Sequence, residues 1–115
     1  MENYLQKYPK LDAVWVGDDD VLIGALKALE ESKRADVKLM LGGGGAKTVV
    51  KRVLDRDPIV RMTVTYPPKM IDVGMTAAVE GLKNAGKAKQ PKIVIPSEVV
   101  NSTNAKEYYF PESIY

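Results

Sequence analysis

Short β-branched runs that hand over, one after another, to stretches of helical periodicity narrow the choice of fold for this chain more than any other feature. Asp12-Ala13-Val14-Trp15-Val16-Gly17 is an apolar run bounded by polar turns and suits a strand buried on both faces. From Val21 to about Ser32, Leu22, Ala25, Leu26 and Leu29 recur at helical spacing, with Lys27, Glu30 and Glu31 opposite them. Val37 to Leu41 repeats the strand pattern, Gly42 to Gly45 breaks it, and Ala46 to about Arg56 reads as a helix with Val49, Val50, Val53 and Leu54 as its stripe. Ile59 to Thr65 reads as a third strand, ended by Pro67-Pro68. Met70 to about Ala85 follows as a helix whose buried side holds Ile71, Gly74, Ala77, Ala78 and Leu82. Lys92 to Ile95 reads as a fourth strand, limited by Pro96, and Asn104-Ala105-Lys106-Glu107 as a capped helical turn. Strands that alternate with helices need crossover connections, and each helix must cover a sheet face. The expected fold is therefore α/β, a parallel sheet of about four strands with covering helices.

This alternation sets where a ligand would bind. Asp18 to Asp20 and Gly42 to Gly45 both follow strands, so both belong to the carboxyl edge of the sheet, where open α/β sheets take their ligands. The chain has no histidine and no cysteine, which removes disulfides, thiolate nucleophiles, the usual zinc ligands and the commonest general base. Lysine and arginine number 17 against 15 acids and are interspersed with them, so nothing in the charge pattern asks for nucleic acid. Met1 to Tyr8 is polar and resembles no export signal, and no run is long enough to cross a bilayer. A single domain without catalytic activity, cofactor or metal is the expectation.

In the triplet Asp18-Asp19-Asp20, helix capping accounts for two of the acids. Asp18, nearest the strand end, is placed to accept hydroxyl hydrogen bonds in a cleft. A magnesium site is the other use of such a triplet, but the neighbouring strand ends in glycines and offers no further acid. The Gly42 to Gly45 loop either cradles a phosphate or simply turns and leaves room for a ligand, and neither phosphate-loop spacing is present. Tyr66 offers a phenol at a strand exit that Pro67 and Pro68 stiffen. Lys47, Lys51, Arg52 and Arg56 read as a solvated helix face, Gly86 to Pro91 as a polar loop, and Asn101-Ser102-Thr103 as a chance sequon.

Together, Tyr8-Pro9-Lys10-Leu11, Asp12 to Asp20, Gly24-Ala25-Leu26-Lys27-Ala28-Leu29, Asp36-Val37-Lys38-Leu39, Thr63 to Ile71 and Asn104 to Ser113 form an ordered series over nearly the whole chain. That series resembles the C-terminal part of ribose-type periplasmic sugar-binding proteins of ABC importers, the type I periplasmic binding protein family. The resemblance implies a flavodoxin-like half-lobe and non-catalytic capture of a small sugar or polyol. It implies a periplasmic or extracytoplasmic setting, delivery to an ABC permease, and no membrane insertion. It places Asp18 and Tyr66 at ligand-contacting positions, and Gly43 where many members carry a ligand-binding Asp. It also implies that residues 1–66 are part of a second lobe, that 67–90 carry a helix belonging to the other lobe, and that 91–115 are a returning strand and tail. A helix without its lobe would be covered by a second copy or by a separately supplied first lobe. The alternative reading is a receiver-like or phosphate-binding small α/β protein using Asp18 to Asp20 and Gly42 to Gly45.

Overall fold

The computed structural model describes residues 1–66, 70–84 and 92–114. The order of elements is α1 (Glu2–Lys7), β1 (Ala13–Trp15), α2 (Asp19–Ser32), β2 (Leu39–Leu41), α3 (Lys47–Leu54), β3 (Met62–Val64), α4 (Met70–Lys83), β4 (Val99–Asn101) and α5 (Ala105–Tyr108). This is the expected α/β class. Most of the two stripes read from periodicity bury: Leu22, Ala25, Leu26 and Leu29 from α2, and Val49, Val50 and Val53 from α3, with Leu54 half-buried against them. They meet Met40 of β2 together with Val37, Val60, Val100 and Ala105 in one core. Full burial of side chains of this size stabilises a domain by about 1.5–3 kcal/mol each before entropy is counted.

The sheet is shorter and more mixed than expected. β1 and β2 pair in parallel, Ala13 opposite Leu39 and Trp15 opposite Leu41. The continuation to β3 rests on single bonds: the Met40 N–H donates to the Ile59 carbonyl at 3.0 Å, and the Gly44 N–H to the Val64 carbonyl at 2.7 Å. β3 and β4 pair antiparallel, Met62 opposite Asn101 and Val64 opposite Val99. The fourth strand is therefore Val99–Asn101, not Lys92 to Ile95, and it runs against its neighbour. Ile93 and Val94 are exposed, so the β-branched run finds no sheet to join, and Pro96 lacks the N–H that would extend a ladder through it. Val100 is fully buried instead.

Two more expectations change. β1 is not covered on both faces: Ala13 and Trp15, which share one face, are exposed, Trp15 by 77%, and among the described residues β1 pairs only with β2 and stands at the sheet edge. A groove of about 800 Å³ runs along it, lined by Tyr4, Leu11, Trp15, Val21 and Ala25 among others. In α4 no described residue is buried; Ile71, Met75, Val79 and Leu82 form an exposed apolar stripe. The chain is elongated accordingly, 58 Å along its longest axis. Its radius of gyration of 18.3 Å compares with about 13 Å for a compact domain of this size. The expected last residue of that helix, Ala85, the Pro67-Pro68 exit and the Gly86 to Pro91 loop lie outside the described residues. No helix among the described residues is long and apolar enough to cross a membrane.

The N-terminal segment, polar by composition, forms α1. Leu5 enters the core and Tyr4 stacks on Tyr8 at 6.1 Å between ring centroids. Arg34 holds this segment in place. Its Nη1 donates to the Leu5 and Tyr8 carbonyls at 2.7 and 2.6 Å, and its Nε donates to Asp36 at 2.9 Å. Asp36 in turn accepts from the Leu11 N–H at 2.7 Å.

Candidate functional site at the carboxyl edge

β1 and β3 end on either side of the glycine loop that follows β2, and this brings the sequence candidates together. Asp18 is the N-cap of α2: its backbone is extended (φ −154°, ψ 153°) and its Oδ1 accepts from the Asp20 N–H at 2.9 Å. Its Oδ2 accepts the hydroxyl of Tyr66. The Tyr66 phenol, followed by the Asp20 N–H, holds the Asp18 carboxyl below the ordinary carboxylate value, and slight burial opposes them. Both side chains remain open to solvent in part.

Gly43 lies between these strand ends. A Cβ built on it would meet only the Gly17 and Val64 carbonyls, at 3.8 and 3.9 Å. The other glycines of the loop have fold reasons. Gly44 and Gly45 sit at φ 130° and 78°, and a Cβ on Gly42 would stand 2.3 Å from Asp19 Oδ1. Gly43 is thus the position in the run where neither backbone nor neighbours demand glycine.

The residue that composition and spacing missed is Asp19. It is fully buried, and its Oδ2 accepts from the Gly45 and Ala46 N–H groups at 2.9 and 2.8 Å. Its two oxygens lie 3.0 and 3.1 Å from the Thr63 hydroxyl, which donates to them. Its own N–H donates to the Gly43 carbonyl at 2.7 Å. Burial raises the Asp19 carboxyl above its ordinary value; the bonds from Ala46, Thr63 and Gly45 pull the other way, and the Asp18 charge adds to the rise. A signal existed in the sequence: an acid in the first turn of one helix, with a glycine run before the next.

These bonds decide against the phosphate and magnesium readings. The Gly45 and Ala46 amides that would cradle a phosphate already serve Asp19, and the Gly44 amide serves Val64. With Asp19 turned inward, Asp18 to Asp20 cannot converge on a cation, and among the described residues no group of three acids is placed to hold one. The basic residues of α3 keep to surface roles. Lys51 pairs with Asp55, Arg52 with Asp57 at 2.9 Å, and Lys47 reaches the Pro111 and Ser113 carbonyls. Asn101 uses its Oδ1 to accept from Thr103, and Asn104, expected to cap α5, instead accepts from the Asn101 N–H at 2.8 Å.

No family model matches the chain. It is 31% identical over 109 residues to the D-apiose import binding protein of Paraburkholderia graminis, covering 91% of this chain and 33% of that protein. It is 33% identical over 96 residues to the ribose import binding protein of Bacillus subtilis, covering 84% of this chain and 30% of that protein. Among solved structures, a Caulobacter myo-inositol binding protein superposes with a TM-score of 0.75 at 22% identity, over 92% of this chain and 36% of that one. Over most of its length the chain is similar to part of the ribose-type periplasmic sugar-binding proteins. It spans about a third of the length of the curated ribose-type relatives it matches. A galactofuranose binding protein gives a TM-score of 0.74 at 22% identity, over 94% of this chain and 37% of that one, so the type I α/β architecture recurs there as well.

Proposed function

We propose that the chain is part of a non-catalytic receptor that captures a small sugar or polyol for an ABC importer outside the cytoplasm. The observation that carries this reading is the convergence of Asp18 and Tyr66, a carboxylate and a phenol, on the open carboxyl edge beside the unfilled position of Gly43. Hydroxyl groups are recognised by such acceptors and donors. Two relatives are named as import binding proteins for ribose and D-apiose, both small and rich in hydroxyls. The ligand contacts are assigned to Asp18 and Tyr66, with Gly43 leaving space for the ligand.

In this reading residues 1–66 are part of one lobe, the helix within 67–90 packs on the opposite lobe, and 91–115 return to the first. The partners are then the polyol, a permease, and either a complementing lobe or a second copy. The exposed α4 stripe and the uncovered edge of β1 are the surfaces such partners would cover. Contacts from one side of such a cleft alone are expected to give millimolar affinity or none, about −4 kcal/mol or weaker.

The test is a titration of the isotopically labelled chain with D-ribose and with myo-inositol, followed by NMR. Backbone signals of Asp18, Gly43 and Tyr66 are expected to move together with one dissociation constant. Signals that stay still at saturating polyol, or that move only at distant sites, would refute the reading.

A further inference from the structure

Asp19 is the buried charged residue at this edge, and its bonds join three separate segments. It starts α2, accepts from the loop glycine Gly45 and from Ala46 ahead of α3, and takes the hydroxyl of Thr63 in β3. Its backbone adds a bond to Gly43. Gly42 is kept free of a side chain at the point where a Cβ would strike the Asp19 carboxylate. Burying a carboxylate is costly unless every acceptor is used. A helix start needs only an exposed cap, which Asp18 already supplies.

We propose that Asp19 is a positioning residue for the ligand-facing pair, fixing the carboxyl end of β1, which carries Asp18, against the carboxyl end of β3, which carries Tyr66. Asp18 is its neighbour in sequence, and Thr63 lies three residues before Tyr66 on an extended path. The carboxylate between them ties the two strand ends together, with the glycine loop as the third tie. The inference rests on reading Asp18 and Tyr66 as the binding pair, but it concerns their mutual placement before any ligand arrives.

The experiment uses the full chain with its tyrosine rings labelled for NMR, the Tyr66 signal being assigned by its loss in Tyr66→Phe. In the wild type, Asp18→Asn is expected to move the Tyr66 ring signal, because it alters the partner of the phenol. In a background of Asp19→Ala that response disappears, and in Thr63→Val it weakens, while the far-ultraviolet circular dichroism is unchanged. Asp19→Asn keeps an oxygen for the two amides and restores the response. A response equal to wild type in Thr63→Val and Asp19→Ala overturns the proposal, as does failure of Asp19→Asn to restore it. Should Asp19→Ala not fold, Thr63→Val and Asp19→Asn still decide. Titration of D-ribose into the same samples reads the binding function separately: an intact Asp18–Tyr66 response with no polyol effect removes the function and leaves the positioning role standing.

Discussion

The hydroxyl of Tyr66 donates to the carboxylate of Asp18 across 48 positions of chain, joining the exits of two strands at one edge of the sheet. Each group therefore serves the other. In the proposed site a polyol would have to insert its hydroxyls into this contact or share it.

Variants of the pair should separate the two contributions. Asp18→Ala removes a charged acceptor and is expected to weaken polyol binding about tenfold or more, whereas Tyr66→Phe removes a neutral donor and weakens it about two- to tenfold. NMR-detected dissociation constants for D-ribose check both values. Equal affinities in wild type and Asp18→Ala would remove Asp18 from the site.

Alanine at neighbouring glycines should have opposite consequences. Gly42→Ala forces a methyl toward Asp19 Oδ1 at 2.3 Å and should cost about 1–3 kcal/mol in urea unfolding. Gly43→Ala meets nothing closer than 3.8 Å and should leave the midpoint within experimental scatter while reducing the room beside Asp18.

Acid should loosen the anchoring of the N-terminal segment. The Asp36 carboxyl is held well below the usual carboxylate range, first by the Arg34 guanidinium and then by the Leu11 N–H. The unfolded chain takes up this proton near 3.8, the folded chain only at lower pH. Stability from this contact is complete above the unfolded value and is lost as pH falls through the folded one. Asp36→Asn is expected to lower the melting temperature at neutral pH and to flatten its decline toward about pH 3, as thermal melts across that range will show.

The bare stripe on α4 should make the chain associate. Sedimentation of the wild type is expected to depend on concentration, and Ile71→Lys with Leu82→Lys to abolish that dependence without changing helix content. A wild type that sediments as a monomer at every concentration would show that the stripe tolerates water.

The core is legible because helical spacing reports it directly: the spacing of Leu22, Leu26, Val49 and Val53 marks them as interior, and they are interior. Strand context was not, since the Ala13 to Val16 run looks the same whether another strand lies beside it or not, and β1 turned out to be an edge. Direction escaped too, because the residues of Val99–Asn101 carry no mark of running antiparallel. At the site, the meeting of Asp18 and Tyr66 followed from their shared edge, but Asp19 was hidden among identical neighbours. Arg34 and Asp36 likewise read as ordinary surface charges, although together they organise the approach to β1.

The inward turn of Asp19 means that adjacent, chemically identical side chains at this corner answer to different masters, one to the interior and one to the open edge. Which is which depends only on phase. Inserting a single residue between Trp15 and Asp18 would turn Asp18 inward and leave the edge position without an acid, although the acidic triplet itself is untouched. A search for related sequences that counts acids without counting their offset from the preceding strand will therefore mistake silent corners for working ones.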